Sequence, residues 1–261
     1  MISIGGSVEI NNQNTATSAS QLPPPPFAVT GISLRDNQVV TNEDLKPIAD
    51  SSSVETLRLN NIANISGECL ANFSNSLNLR VVDCNGSGKV GDGLHYLAAC
   101  ERIDDLQLWG VALSLRDVIP VAHRKYKRIN LGSTKVTDDW FPYFDEVDDL
   151  EVLVLRYANV SDDGLAHFRN CNSLRNLSVG GTKLTDAGLK HFQNCLQLEG
   201  TIISETSVSD ASIEILSNFK NLKRMEIENT KITPAGVEKL RQALPQCDIT
   251  WDGGTIKPSK P

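Results

Sequence analysis

The second half of the chain repeats its apolar residues at a fixed spacing of 24 positions. One column of this repeat holds Leu150, Leu174, Leu198 and Leu222. Three and five positions after Leu150 stand Leu153 and Leu155, and the other units place mostly apolar residues at the same two points. A short apolar alternation at a period in the twenties indicates a stack of repeats, because one unit alone cannot bury its apolar face. Such an array favours binding over catalysis.

Each unit predicts a strand, a turn and a short helix. The apolar pair alternates with its neighbours, so the pair faces the core and the neighbours face solvent. Thr185 and Asp186 follow the turn of one unit, and side-chain oxygens of such residues suit a helix N-cap. Leu189 and Phe192 are spaced by three positions, which predicts the buried face of a short helix.

The chain divides into three predicted segments. Residues 1–28 are an N-terminal cap with a proline-rich lead, and residues 29–252 hold about nine repeats and a closing strand. The first four repeats are less regular than the five that begin at Tyr126. Ile249 and Trp251 occupy the strand columns again and predict the closing strand. Residues 253–261 are predicted to be a polar, frayed tail.

The motif from Thr182 to Leu189, T-K-L-T-D-A-G-L, resembles the bacterial leucine-rich repeats that are abundant in planctomycetes. It is similar, more distantly, to the repeats of eukaryotic F-box substrate receptors. The resemblance extends from about Ile32 to Trp251. It implies an α/β fold, a right-handed leucine-rich-repeat solenoid with parallel strands on the concave face and short helices on the convex face. It also implies protein recognition on the strand face and no catalytic residue.

Composition and motifs argue against several function classes. Acidic residues number 32 against 25 basic ones, for a net charge of -7, which argues against a nucleic-acid partner. No apolar run of about 18 residues exists, so no membrane span is predicted. A Gly-rich phosphate loop, an HExxH motif and a Ser/His/Asp spacing are all missing from the sequence. We therefore expect no enzymatic activity and no cofactor.

Cysteine and histidine usage predicts no metal site. None of the six cysteines forms a CxxC pair, and Cys171 and Cys195 fall in an apolar column where free cysteine packs as a small hydrophobe. A reduced, cytoplasmic, monomeric protein is expected. His167 and His191 share a column, but no third ligand type recurs beside them.

Charged residues alternate in sign along the stack. The basic run 123–128 alone resembles a nucleic-acid patch, but the acidic run 147–151 follows 24 positions later. Neighbouring repeats would thus pair Arg124 with Asp148 and Lys127 with Glu151, and the latter column continues through Arg175. We predict a ladder of exposed ion pairs in place of a nucleic-acid site.

One zone of the predicted strand face carries interface residues. The candidate partner-binding residues are Trp109, Arg128, Val152, Val154, Arg156 and Tyr157. Trp, Tyr and Arg are the residues most often found as binding hot spots. Gly132 shares a column with Trp109 and Arg156, and it leaves either a socket for a partner side chain or a site over which Trp109 folds. The strands of Gly180 and Gly200 are predicted to be featureless.

The sequence therefore predicts a non-enzymatic protein-protein interaction module that binds an unidentified protein on its concave strand face. The alternative is a sensor or targeting segment of a larger signalling enzyme, such as a bacterial Ser/Thr kinase. A structural role without a specific ligand is a third hypothesis.

Overall fold

A computed structural model describes residues 1–49, 51–144 and 146–258. The contacts within the chain divide it into two compact units, Met1–Tyr126 and Lys127–Pro261. Each unit contains a mostly parallel sheet and a series of short helices. The predicted segment boundaries after residues 28 and 252 stay predictions.

The first unit begins with an antiparallel hairpin and continues with parallel strands. Its strands are β1 (Ser7–Ile10), β2 (Asn14–Ala16), β3 (Val29–Ser33), β4 (Thr56–Arg58), β5 (Val81–Asp83) and β6 (Asp105–Gln107). β1 pairs antiparallel with β2 and β3, and β3 to β6 pair in parallel in chain order. Its helices are α1 (Leu115–Ala122) and the 3₁₀ segments Ile2–Ile4, Ala19–Gln21, Asn42–Ile48, Gly67–Phe73 and Gly91–Leu97.

The second unit consists of the regular repeats. Its strands are β7 (Arg128–Asn130), β8 (Val152–Val154), β9 (Asn176–Ser178), β10 (Gly200–Ile202), β11 (Arg224–Glu226), β12 (Asp248–Trp251) and β13 (Gly254–Ile256). Its helices are α2 (Asp162–Leu165), α3 (Asp186–Leu189), α4 (Ile213–Ser217), α5 (Pro234–Ala243) and the 3₁₀ segments Asp138–Tyr143, Ala166–Phe168, Lys190–Phe192 and Asp210–Ser212.

β7 to β12 pair in parallel and without slippage from one repeat to the next. β12 is the closing strand that Ile249 and Trp251 predicted. β13 then pairs antiparallel with β12, with Thr250 opposite Thr255. The expectation of a frayed tail is therefore wrong for Gly254–Ile256. The edge of β12 offers its backbone N–H and C=O groups to this short segment. A period of side chains does not indicate such pairing, because the pairing depends on the backbone alone.

Buried side chains of successive repeats form the core. Leu153, Leu177 and Met225 are at most 1% exposed. The thiol of Cys195 donates to the carbonyl of Cys171 at 3.3 Å, which joins two repeats within the predicted apolar column. Burial raises the pKa of both thiols to about 12. These cysteines are protonated core residues at neutral pH.

A carboxylate at the start of one helical segment binds the N-cap residue of the next repeat. Asp162 Oδ1 accepts the backbone N–H of Thr185 at 2.9 Å, and Asp162 Oδ2 accepts the Thr185 hydroxyl at 2.5 Å. The Thr185 oxygen in turn accepts the N–H of Ala187 at 3.1 Å and caps its own helix. We call these contacts the Asp–cap pairs: Asp138–Ser161, Asp162–Thr185, Asp186–Ser209 and Asp210–Thr233.

Two Asp–cap pairs lower the pKa of their carboxyl group. Burial alone would raise the pKa of Asp186, but hydrogen bonds from Ser209 and Ser212 outweigh burial and hold it below its usual value. The hydroxyl and backbone N–H of Thr233 lower the pKa of Asp210. Both carboxylates are therefore ionised at neutral pH, where hydrogen bonds to a charged acceptor are roughly twice as strong as neutral ones.

The glycine of the repeat motif makes room for the Asp–cap pair. A Cβ on Gly188 would lie 2.0 Å from Asp162 Oδ1, and one on Gly164 would lie 2.2 Å from Asp138 Oδ1. The third repeat of this series has Ser212 at the same point, and its hydroxyl donates a hydrogen bond to Asp186. The position of Gly164, Gly188 and Ser212 in the repeat is thus occupied either by glycine or by a residue whose side chain donates a hydrogen bond to the carboxylate.

Leu177→Asp should unfold the second unit. Leu177 is 1% exposed, so the change loses at least the roughly 2–5 kcal/mol of a core leucine truncation and also buries a charge without a partner. Asn176→Asp is the control, because Asn176 is the exposed, outward neighbour on the same strand. Urea unfolding should separate the two variants, and equal midpoints would contradict the inward assignment of Leu177.

Gly188→Ala should destabilise the chain by roughly 1–3 kcal/mol through overpacking, although alanine normally favours a helix over glycine. Gly188→Ser should cost less, because the hydroxyl can donate to Asp162 as Ser212 does to Asp186. In an Asp162→Ala background the penalty of Gly188→Ala should largely disappear. These free energies of unfolding form a double-mutant cycle, and a stabilising Gly188→Ala would show that the carboxylate does not occupy this space.

Candidate functional site

The outward side of the second unit's strands carries the predicted interface residues. In the first outward column, Arg128, Val152 and Asn176 lie side by side in register. Arg128 and Asn176 are exposed, whereas Val152 is only 8% exposed between these larger neighbours. In the next column Val154 and Ile202 flank Ser178, and both are half-buried. Two aliphatic side chains therefore remain accessible near the centre of the face.

The residue that follows the third outward position has a positive φ in every repeat. These residues are Asp36, Asn61, Gly86, Gly110, Ser133, Tyr157, Gly181, Glu205 and Asn229, with φ between 52° and 75°. Glycine, asparagine and aspartate adopt this left-handed conformation readily, whereas a bulky residue there is an outlier. Tyr157 is the only aromatic member of the column, with φ 60°.

The side chain of Tyr157 crosses the ends of two neighbouring strands. A Cβ on Gly181 would lie 2.4 Å from Tyr157 Cδ1, so the ring lies directly over this glycine. Beyond it, the Tyr157 hydroxyl donates to Glu205 Oε1 at 3.1 Å. The Tyr157 hydroxyl oxygen also accepts a hydrogen bond from Arg156 Nη2 at 3.1 Å. Arg156 Cζ is 5.1 Å from the centroid of the Tyr157 ring. Arg156, Tyr157 and Glu205 thus form one polar cluster above Gly181.

In the third outward column Gly180 is buried, and a Cβ on it would lie 2.9 Å from the carbonyl oxygen of Ser204 and 3.4 Å from Ile202 Cγ2. Atoms of the next repeat therefore close this position. Arg156 and Ser204 stand in the same column on either side of Gly180. Ser204 is 5% exposed. Among the described residues, Ser204 Oγ and Arg156 Nε belong to the few buried side-chain atoms without a hydrogen-bond partner.

The structure brings together some of the predicted site residues. Arg156 and Tyr157 are in direct contact, and Val152 and Val154 lie on the strand that precedes them. Arg128 lies at the start of β7. Trp109 belongs to the first unit, where it is half-buried and its backbone N–H donates to Asn85 Oδ1 at 2.7 Å.

The prediction that the Gly180 and Gly200 strands are featureless is wrong. Gly181, which follows β9, lies under the ring of Tyr157, and Glu205, which follows β10, accepts the Tyr157 hydroxyl. The sequence placed Tyr157 next to a column of outward residues but did not predict its contacts. Its own column otherwise contains only small or polar residues, and this contrast is the signal that could have identified it.

Three pairs of the predicted charge ladder are found in the second unit. Glu199 Oε1 is 2.7 Å from Arg175 Nη1, and Glu199 also pairs with Lys223. Hydrogen bonds from Lys223, which has the larger effect, and from Arg175 lower the pKa of Glu199. Lys127 lies 4.0 Å from Glu151. The prediction is wrong for Arg124, which is 6% exposed and donates from Nη2 to the carbonyl oxygen of Leu97 at 2.8 Å. Its guanidinium satisfies buried carbonyl groups and is not part of an exposed ladder.

Over residues 1–49, 51–144 and 146–258, no helix is long and apolar enough to cross a membrane. The same part of the chain has no cluster of three or more His, Cys, Asp or Glu side chains placed to hold a metal ion.

Comparison with known proteins identifies the fold. No protein-family model matches the chain, and no curated protein matches it. Among solved structures, an internalin from Listeria monocytogenes is similar with a TM-score of 0.62 and 16% identity, over 86% of this chain and 61% of that chain. Internalin C2 from the same organism is similar with a TM-score of 0.52 and 16% identity, over 85% of this chain and 80% of that one.

This likeness shows the fold alone. The predicted α/β leucine-rich-repeat fold is confirmed, and bacterial proteins share it. This chain spans 61% of the length of the first internalin. The particular resemblance to planctomycete repeats and to F-box receptors stays a prediction.

Tyr157→Gly should be more stable than Tyr157→Ala by roughly 1–2 kcal/mol, because only glycine adopts the left-handed conformation without a steric cost. Both variants lose the contacts to Arg156 and Glu205, so their difference isolates the backbone. Urea unfolding measures it, with Ser133→Gly as a control at the equivalent position of β7's repeat. If the two Tyr157 variants unfold at the same midpoint, the backbone at this position carries no strain.

Proposed function

We propose that the chain is a non-enzymatic protein-interaction module that binds a protein partner on the outward strand face of its second unit. The observation that carries this proposal is the Tyr157–Arg156 pair. Tyr157 is 45% exposed, and among the described residues it is the only Phe, Trp or Tyr that is exposed. Tyrosine and arginine are enriched among binding hot spots.

The accessible aliphatic side chains support the same surface. Val154 and Ile202 are half-buried and point outward from β8 and β10. An interface combines an apolar centre with a polar rim, and here Arg128 and Glu226 border the apolar residues. Val152 is 8% exposed and therefore contributes little accessible area to the apolar centre.

The backbone of Tyr157 supports a role other than stability. A bulky residue at φ 60° costs free energy that glycine at the equivalent position of the next repeat avoids. Strained residues of this kind cluster at binding and active sites. A tyrosine in a conformation that its side chain disfavours is consistent with use of that side chain by a partner.

Several finer sequence predictions stay predictions. Trp109 as a member of the binding site is one of them. The others are the monomeric state, the cytoplasmic location, the exclusion of nucleic-acid and membrane partners, and the role as a sensor segment of a larger signalling enzyme.

Selection of a displayed random-peptide library against the immobilised chain tests the proposal. We expect an enriched peptide family whose affinity falls roughly 10-fold or more with Tyr157→Ala or Val154→Glu, as for hot-spot residues. Leu196→Glu is the matched control, because Leu196 is 51% exposed in the connection after the 3₁₀ segment Lys190–Phe192. Peptides that bind all variants equally would place binding elsewhere and contradict the proposal.

A further inference from the structure

An apolar cavity of about 380 Å³ lies in the first unit, near the start of the chain. Its walls come from the 3₁₀ segments Ile2–Ile4 and Asn42–Ile48, from β1 and β3, and from the connection before β3. We call it the Phe27 cavity. Among the described residues that line it, Ser3 is the only polar one, and no side chain is charged. The apolar lining includes Ile2, Val8, Leu22, Phe27, Val29 and Ile48.

The apolar side chains around the Phe27 cavity are incompletely buried. A small cluster under the cavity is at most 6% exposed and consists of Val8, Ile10 and Ala16. Phe27 and Val29 pack against this cluster but are only half-buried themselves. An apolar occupant of the cavity would remove their accessible surface from water. Burial of apolar surface is the main favourable contribution to such binding.

Hydrogen bonds outside the Phe27 cavity hold its walls in place. Asn37 Nδ2 donates to the carbonyl oxygen of Ile4 at 2.5 Å and fixes the first 3₁₀ segment. Asn11 and Ala28 exchange two hydrogen bonds of 3.0 Å, which join the connection before β3 to the hairpin of β1 and β2. Residues 23–26 of this connection are all proline, which restricts its backbone further. Walls that are ordered before binding reduce the entropy lost on binding.

The size and lining of the Phe27 cavity define its ligand. An apolar cavity of about 150 Å³ holds benzene, so the larger Phe27 cavity has room for a hydrocarbon group of roughly ten carbon atoms. A charged group inside it would lose its hydration without a compensating partner. Exposed polar residues adjoin the walls along the chain, Gln21 before Leu22 and Lys46 near Ile48. A concave apolar surface with polar neighbours is typical of a small-molecule site.

We propose that the Phe27 cavity binds a small, uncharged molecule with an alkyl chain or aromatic ring system of roughly ten carbon atoms. This site lies in the first unit and is independent of the protein-binding strand face of the second unit. The chain therefore has two binding sites of different chemistry.

Primary alcohols of increasing chain length test the proposal. Hexanol, octanol and decanol are added to the full chain, and the isoleucine methyl signals are followed by NMR. We expect the signals of Ile2 and Ile48, which line the cavity, to shift. Ile249, which is fully buried in the second unit, should not respond. Each added methylene group should raise the affinity roughly 3- to 4-fold while the chain still fits.

An octanediol with one hydroxyl group at each end is the matched control ligand. It has the same carbon chain as octanol, but its binding in the cavity would bury one hydroxyl group without a partner. We expect it to bind roughly 10-fold more weakly than octanol, or weaker still.

Three variants locate the site. Ser3→Trp places a large ring at an exposed position of the lining and should abolish octanol binding. Ile48→Glu places a charge in the wall and should do the same. Leu77→Glu is the control, because Leu77 is 55% exposed in the same unit and is not part of the lining. Thermal unfolding shows which variants are folded, and Ser3→Trp decides if Ile48→Glu does not fold.

The assignment is overturned if octanol and the diol bind equally, if Ile2 and Ile48 do not shift, or if folded Ser3→Trp keeps the affinity of the unmodified chain. Sedimentation at increasing protein concentration examines another occupant, a second copy of the chain. We expect octanol to leave the sedimentation unchanged. A dimer that octanol dissociates would show that a second copy covers the cavity, and it would also overturn the proposal.

Discussion

The hydrogen bonds between an aspartate and the N-cap of the following repeat hold successive repeats of the second unit in fixed register. Each carboxylate accepts two bonds from one residue, and that residue also caps its own helix, as Asp162, Thr185 and Ala187 illustrate. One motif therefore solves two problems, because it satisfies helix N–H groups that lack intrahelical partners and links neighbouring units. Asn42 makes the equivalent contact in the first unit, where its side-chain oxygen accepts the N–H of Ser66 at 3.0 Å and its amide donates to the Ser66 hydroxyl at 2.8 Å. The geometry therefore tolerates a neutral side chain that reverses the direction of one bond.

This constraint propagates to the strand face. If every helical segment starts at a fixed position relative to its neighbour, every strand must align as well, and the parallel strands of the second unit do so without slippage. Outward side chains then fall into straight columns, so that residues of neighbouring repeats such as Val152 and Asn176 lie side by side.

The sequence predicts the parts of this fold that core burial dictates. Strands and inward pairs recur because each repeat must bury the same face, and residues such as Leu153 and Leu177 are therefore found where the period places them. The period does not reveal that Asp162 bonds to Thr185, because both residues equally suit a cap on their own helix. The period also gave a wrong prediction for Arg124, whose side chain donates to buried carbonyl groups and not to an acidic residue of the next repeat. It gave a second wrong prediction for Gly254–Ile256, which pairs through its backbone. The Tyr157 cluster depends on a side-chain direction, which the sequence of its column suggests only by contrast with smaller neighbours.

Regular repeats make local departures informative. A residue that suits the repeat contributes to stacking and is explained by it, whereas Tyr157 occupies a backbone conformation for which its side chain is poorly suited. The surrounding bonds from Leu155, Tyr157 and Gly181 to the next strand hold the backbone in place, so the local cost of this tyrosine is borne without a shift in register. In a fold built from one repeated unit, binding specificity therefore depends on the few positions at which the units differ.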